Sequence, residues 1–309
     1  MNEIKVSVLI NTYNRAQLIS RAIQSALNQT YDNLEIIVVD GNSEDNTKEV
    51  VLGFRDERIR YLRSKVSRAV DCANLGLAEC TGKYVALLDD DDEWTPDKTA
   101  VQLSHFEQLD DSYGWIGCGE RFIDDVLAKE TGTSMPTLRG DILHGLLRGA
   151  GNGVSGGTTL MFRKAAIDDL GGFVDIEYST DFLFYLKLSR RYKFDFVPQY
   201  LCLTHENHIY QLQRASCLSD DRRSANLRIG WNNYILAEYA DVFQEHPCLA
   251  YKYLSWLGRE HSRIQDKRSA WNYYYQAIRS RPIAFIYNIK LTIKVLQELL
   301  INRADHDEE

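Results

Sequence analysis

The chain has 309 residues, 44% of them hydrophobic and 26% charged, the balance of a soluble globular protein with a real core. That length fits one large domain, or one domain with an appendage. A formal net charge of −8 excludes nucleic acid as the main partner, because phosphate binding needs a basic face.

The opening MNEIKVSVLINTYNR has no basic lead and no small-residue cleavage site, so no signal peptide is expected. No uncharged apolar run is long enough to span a bilayer. Cys72, Cys80, Cys118, Cys202, Cys217 and Cys248 lack zinc spacing and are expected to stay reduced. These features describe a cytoplasmic protein.

The first hundred residues alternate between two periods. KVSVLI (5–10) predicts a strand. Leu18, Ile19, Ala22, Ile23, Ala26 and Leu27 then mark one face of a helix over 16–28. LEIIVVD (34–40) predicts a buried strand, 45–54 a helix, RIRYLR (58–63) a strand, 70–78 a helix and YVALLD (84–89) another buried strand. Pro96 opens a helix to about residue 109. Strands alternating with helices, several apolar on both faces, predict a mainly parallel sheet covered on both sides. WIGCGE (115–120) and TTLMF (158–162) read as strands, 180–191 as a helix, and FDFVPQYLCL (194–203) as extended around a proline. From about Ser216 the pattern is helical, which sets domains at 1–215 and 216–309.

Ligands of such sheets sit at the carboxyl ends of the strands. There the sequence places NTYNR (11–15), DGNSEDNT (40–47) and DDDDEW (89–94). For DGNSEDNT alone, turn and cap duty is an equal alternative. One residue suffices for a cap, however, and four adjacent aspartates need another reason. Clustered carboxylates suit a hard cation, Mg²⁺ or Mn²⁺, which typically takes one or two of them plus phosphate oxygens. The Asp-x-Asp pair Asp89 and Asp91 can bridge protein to diphosphate in this way; a solvated acidic turn is the alternative. An EF-hand is excluded because its Gly and Glu spacing is missing.

Together these motifs resemble the GT-A-fold, family 2 glycosyltransferases, over roughly 5–205. The stretch from VSVLINTYNR to DGNSEDNT looks like the family's opening, and ALLDDDDEWTPDK looks like its Asp-x-Asp segment. LMFRKAAIDDLGGFVD (160–175) with STDFLFYLKL (179–188) is similar to the segment carrying its catalytic base. The resemblance implies a GT-A sheet and a nucleotide-sugar donor. Thr12, Tyr13 and Arg15 would lie around base and ribose, Asp40 would accept from either, and Asp89 and Asp90 would lie near the ribose. Asp91 would hold Mn²⁺ or Mg²⁺ on the diphosphate, and Asp181 would be the base. Three positions depart from the family pattern. Gly41 stands where Asp is frequent, and Thr180 where Glu is common. Ala73 precedes Asn74 where many members have Arg, which leaves part of a nucleotide contact to Arg68 or Asp71. The function implied is a metal-dependent, inverting transfer from a UDP-sugar to a glycan or lipid-linked acceptor.

A sugar-phosphate nucleotidyltransferase is the first rival, but NTYNRAQ lacks the Gly-rich phosphate loop it would need. A non-catalytic carbohydrate-binding or assembly protein is the second. GNGVSG (151–156) follows a helix rather than a strand, so it is read as an acceptor-side loop and not a dinucleotide fingerprint. HENH (205–208) is not read as a metal pair, although His205 is a candidate contact to the diphosphate. LSWLGREH (254–261), Ala270, Tyr274, Ala277 and Pro282 match one tetratricopeptide-like unit, too few for a stack, so a helical hairpin is expected. The apolar stretch 282–301, with Lys290 and Lys294, is expected to pack as a terminal helix or to lie on a membrane surface. A homo-oligomer is compatible with all of this.

Overall fold

The computed structural model describes residues 4–149, 153–176, 178–206 and 222–280. The chain divides into two compact units, Met1–Gln213 and Arg214–Glu309.

The first unit is built on a nine-stranded sheet ordered β3-β2-β1-β4-β8-β6-β9-β5, with β7 added to β6. Its N-terminal part comprises β1 (Val6–Thr12), α1 (Ile19–Leu27), β2 (Leu34–Asp40), α2 (Thr47–Gly53), β3 (Ile59–Arg63), α3 (Ala69–Glu79) and β4 (Tyr84–Leu87). β1 lies parallel to β2 and β4, and β2 lies parallel to β3. All seven residues of β2 are buried, as its β-branched run requires of a strand covered on both faces. α1 turns Ile19, Ala22, Ile23 and Ala26 to the core. It starts three residues later than the periodicity predicts, because Arg15 O is used to close a preceding turn with Leu18 and Ile19 N–H.

The second part is mixed. It contains β5 (Glu93–Trp94), α4 (Lys98–Phe106), β6 (Tyr113–Asp124), β7 (Lys129–Ser134), α5 (Leu143–Arg148), β8 (Met161–Arg163), α6 (Lys164–Leu170), α7 (Thr180–Ser189) and β9 (Lys193–Glu206). β8 runs antiparallel to β4 and β6, β7 antiparallel to β6, β5 antiparallel to β9, and β9 parallel to β6. Hence β1, β2, β3, β4, β6 and β9 share one direction, and their carboxyl ends meet one edge. The expected α/β architecture is present. The first half of TTLMF is a 3-10 turn at Gly157–Thr159, and its strand begins only at Met161. The β6–β9 register jumps from Cys118↔Val197 to Gly119↔Tyr200, which leaves Pro198 in a bulge where its missing N–H costs no ladder bond.

Trp115 on β6 is wholly buried and ties the sheet to α7. Its ring lies 5.3 Å from Tyr185, 4.6 Å from Phe194 and 6.2 Å from Phe162, centre to centre. Truncating such a core aromatic typically costs about 3–5 kcal/mol. The described cysteines, Cys72, Cys80, Cys118, Cys202 and Cys248, are free thiols.

The second unit contains α8 (Arg222–Glu238), α9 (Ala240–Glu245), α10 (Pro247–Arg263) and α11 (Lys267–Ser280). Arg228 on α8 pairs with buried Glu260 on α10 at 2.9 Å. Ala270, Tyr274 and Ala277 form the buried face of α11. Gly258 permits its close approach, since a Cβ there would stand 2.7 Å from the Tyr274 ring. Pro282, the 282–301 stretch and the proposed boundary near 215 lie outside the described residues. None of the described helices is long and apolar enough to cross a membrane.

Lys98 is a local conflict in this core. It is wholly buried on α4, its Nζ has no hydrogen-bond partner, and it stands 3.6 Å from the centre of the Trp94 ring. Burial pushes its ammonium below the ordinary value of 10.5. The unfolded chain therefore binds more protons than the folded one, and stability rises with pH up to the ordinary lysine value. Lys98→Met, which removes the amine and nearly keeps the volume, is expected to raise the melting temperature at pH 7. The gain should shrink as the pH approaches the lysine range, as measured by melting curves across pH.

Candidate active site

The parallel register sets Thr12 abreast of Asp40 at the carboxyl edge, and Gly41 N–H donates to Thr12 O at 2.8 Å. A Cβ on Gly41 would stand 3.3 Å from Ser67 Cα, so the close approach of backbone favours glycine here. Asp40 is wholly buried; its Oδ1 accepts from Ser43 N–H at 2.7 Å and its Oδ2 from the Tyr61 hydroxyl at 2.5 Å. The neighbouring loops are stitched together. Asn14, in the left-handed region at φ 52°, receives Glu44 N–H at 2.7 Å, while Asp45 receives Ala16 N–H at 3.1 Å. Much of DGNSEDNT therefore performs turn duty, although Asn46 at the N-cap of α2 makes no side-chain cap bond. Tyr13 is 46% exposed at this edge.

The four aspartates follow β4 directly, and Asp92 N–H closes a turn on Asp89 O at 3.2 Å. The cations they need come from the first loop and helix. Arg15 Nη1 lies 2.5 Å from Asp91 Oδ2 and 3.5 Å from Asp90 Oδ1. Arg21 Nη2 donates to Asp91 O at 2.5 Å, and its Nη1 donates to Asp125 Oδ1 at 3.2 Å. Asp92 is 3% exposed and accepts His205 N–H at 3.0 Å. Burial, with Asp89 and Asp91 adding to it, holds its carboxyl well above the usual carboxylate range, so it adds little charge at neutral pH. His205 in turn lies 2.6 Å from Asp125 Oδ1 through Nδ1 and 3.1 Å from Glu93 Oε1 through Nε2. Burial works to raise the Asp125 carboxyl, but His205 and Arg21 outweigh it and hold the group below its ordinary value.

Among the described residues no three His, Cys, Asp or Glu side chains converge as an all-protein metal cage. The donors are nevertheless hard oxygens, and Asp91 already holds a cationic group on one of them. This fits Mg²⁺ or Mn²⁺ bound through one or two carboxylates, with ligand oxygens completing the shell.

Across the same edge lies a cavity of about 510 Å³ whose lining includes Asp181, Glu120, Tyr185, Ser155 and Gly157. Asp181 is in the first turn of α7, where the helix dipole favours a carboxylate. Ser179 before it takes φ 47°, a strained setting next to a functional candidate. A Cβ on Gly157 would stand 3.8 Å from the Tyr185 hydroxyl and 3.9 Å from Asp89 Oδ2, which places the acid tip beside this cavity. Burial first, then Asp181, Asp89 and Glu120, push the Tyr185 hydroxyl well above its ordinary value. The segment leading to α7 is clamped by α3. Asn74 receives Phe173 N–H at 2.8 Å and donates to Phe173 O at 3.2 Å. Arg68 pairs with Asp175 and lies 3.5 Å from Asp71.

The structure therefore joins Arg15, Asp90 and Asp91 at one tip, with Asp181 lining the cavity beside it and Asp89 close to the Gly157 wall of that cavity. Arg21, Glu120, Asp125, Ser155 and Tyr185 are missing from the sequence-derived set. Glu120 was accessible to the strand-end rule, since it closes WIGCGE. Arg21 carries no local signal, whereas Ser155 lies in GNGVSG, the stretch read as an acceptor-side loop. Asn152 in GNGVSG and His208 in HENH are outside the described residues.

The family model described as "Glycosyl transferase family 2" matches residues 7–171. The UDP-Glc:alpha-D-GlcNAc-diphosphoundecaprenol beta-1,3-glucosyltransferase WfgD of Escherichia coli is 39% identical over 105 residues, 34% of this chain and 42% of its own length. The putative colanic acid biosynthesis glycosyl transferase WcaA of Escherichia coli strain K12 is 39% identical over 111 residues, 35% and 40% of the respective chains. An uncharacterized glycosyltransferase of Rickettsia bellii is 38% identical over 109 residues, 35% of this chain but 16% of its own length. The chain thus aligns with less than half of each of these relatives. Among solved structures, S. aureus TarS 1-349 in complex with UDP-GlcNAc has a TM-score of 0.64 at 14% identity, over 90% of this chain and 81% of that one. The mannosyltransferase PcManGT from Pyrobaculum calidifontis, in complex with GDP-Man and Mn²⁺, has a TM-score of 0.55 at 19% identity, over 97% and 85%. At those identities the likeness is one of fold.

Arg15→Met removes the guanidinium from Asp90 and Asp91. In metal-free buffer it is expected to lower the melting temperature, because a partly buried charge cluster is left uncompensated. Added Mn²⁺ should recover the loss, with a larger thermal shift than in the unsubstituted protein.

Proposed function

The chain belongs to glycosyl transferase family 2 and is a glycosyltransferase; from that premise we propose that it transfers a sugar, with inversion, from a UDP-sugar. The receiving group is a hydroxyl on a glycan or lipid-linked acceptor, in surface polysaccharide biosynthesis. The acceptor class follows the Escherichia coli relatives. In this reading residues 1–215 hold the catalytic domain and residues 216–309 the second domain, whose described helices over 222–280 include one tetratricopeptide-like hairpin.

One observation carries the reading: Asp181 lines a cavity whose Gly157 wall lies beside Asp89 of the acid tip, where a Cβ on Gly157 would stand 3.9 Å from Asp89 Oδ2. In this arrangement Thr12, Tyr13, Arg15, Asp40, Arg68, Asp71, Asp89 and Asp90 form the donor side. Asp40 contributes as a buried acceptor whose position is fixed by Tyr61 and Ser43. Arg15 would lie with Thr12 and Tyr13 around the base and ribose, its guanidinium 2.5 Å from Asp91 Oδ2. Asp91 would hold Mn²⁺ or Mg²⁺, which supplies Lewis-acid stabilisation of the leaving diphosphate. Asp181 takes the proton from the attacking hydroxyl as the new bond forms, and a single carboxylate suffices for inversion.

Asp181→Asn is expected to retain donor binding, read by thermal shift with UDP and Mn²⁺, while transfer falls about 10²-fold or more. Equal loss of binding and transfer would make Asp181 structural. Asp91→Asn should abolish the Mn²⁺-dependent part of UDP binding. A panel of nucleotide sugars scored for release of free nucleotide tests the donor class, and pyrophosphate release from a nucleoside triphosphate would instead mark a nucleotidyltransferase.

A further inference from the structure

The last described helix, α11, has two faces of different chemistry. Ala270, Tyr274 and Ala277 are buried within the second unit. On the other side Arg268, Trp271, Asn272, Tyr275, Gln276 and Arg279 are all exposed, at the spacings of three and four that place residues on one helical face. Trp271 is 48% and Tyr275 52% exposed. Single surface apolar residues are ordinary, but here two large amphipathic rings stand one turn apart on a face that packing leaves open.

The charge on this helix has one sign. α11 contains Lys267, Arg268 and Arg279 and no Asp or Glu, on a chain whose net charge is −8. The Arg279 guanidinium lies 5.8 Å from the centre of the Tyr275 ring, so cation and ring share one surface. The carboxylates shortly before the helix are engaged locally. Asp266 accepts Ser269 N–H at 3.1 Å and lies 3.1 Å from His261 Nδ1, while Glu260 lies 2.9 Å from Arg228 and 3.2 Å from Arg263. In sequence, Arg281, Lys290 and Lys294 follow before the next carboxylate, Glu298.

Trp and Tyr flanked by Arg and Lys is a composition suited to the headgroup level of a bilayer. The ring bodies reach toward the acyl chains, their polar tips stay wet, and the cations meet anionic lipid. A second copy of this chain is a poorer occupant. A two-fold contact would set Arg268 and Arg279 of one face against the same cations of the other.

We propose that the exposed face of α11 docks the protein on an anionic lipid bilayer, with Trp271 and Tyr275 as the interfacial rings and Arg268 and Arg279 as the headgroup contacts. Such docking involves neither donor nor acceptor chemistry and goes beyond the transfer reaction.

The test is flotation of the full chain with vesicles of phosphatidylcholine alone or with about one-third phosphatidylglycerol, at about 0.1 M and about 0.5 M salt. Binding to the anionic vesicles is expected to exceed binding to the neutral ones about tenfold or more at the lower salt, and to weaken at the higher. Trp271→Ser combined with Tyr275→Ser should leave the melting temperature unchanged, because both rings are exposed, and cut binding about tenfold or more. Arg268→Gln combined with Arg279→Gln should remove the preference for anionic lipid, and serves if the aromatic pair fails to fold. Equal binding to both vesicles, binding to neither, or undiminished binding by the folded variants would overturn the proposal. So would an oligomer, seen by sedimentation velocity without lipid, that the paired Trp271 and Tyr275 substitutions dissolve.

Discussion

Like-charge repulsion at the end of β4 is the constraint around which the first unit is arranged. Six strands pointing one way bring their carboxyl ends, and the polar residues that follow them, to one edge. Four consecutive aspartates can stay there because Arg15 and Arg21 reach over from the loop and helix that follow β1, and because Asp92 withdraws into the protein against His205. The arrangement is reciprocal. The tip fixes the start of α1 through Arg21, and Asp125 at the end of β6 joins Arg21 to His205 on β9. Removing any one member leaves a partly buried charge without its counterpart, which is more costly than never having had the pair.

Packing carries this edge into the core. The Trp115 ring stacks against Tyr185, whose hydroxyl is pushed well above its ordinary value by burial first and then by the charges of Asp181, Asp89 and Glu120. The geometry of α7 is thus set by aromatic contacts on one side and electrostatics on the other. Close-packed rings leave little room for adjustment, so the α7 side chains bordering the cavity, Asp181, Phe182 and Tyr185, are pre-organised by a rigid element.

The strands and helices of the first hundred residues were legible because their apolar periods are strong and their turns carry the expected residues. The strand-end rule drew attention to the regions of Arg15, Asp40 and Asp91, since the sheet is mainly parallel. Sequence reading missed β7, whose KETGTS has no apolar alternation, and β5, which has two residues and is defined by its pairing with β9. It also missed the cations. Nothing near DDDDEW supplies one in sequence, and Arg15 is brought there only because the loop after β1 folds toward the neighbouring β4. Ser155 and Tyr185 acquire meaning only once α7 and the 154–157 turn enclose a common space.

Asn74 binds both the N–H and the C=O of Phe173, as a strand neighbour would, and Gly172 beside it takes φ 79°, with no room for a Cβ against the amide. The clamp thus anchors the chain to α3 ahead of α7, so the path that leads to Asp181 starts from a fixed point on the sheet's helical cover rather than from a free loop.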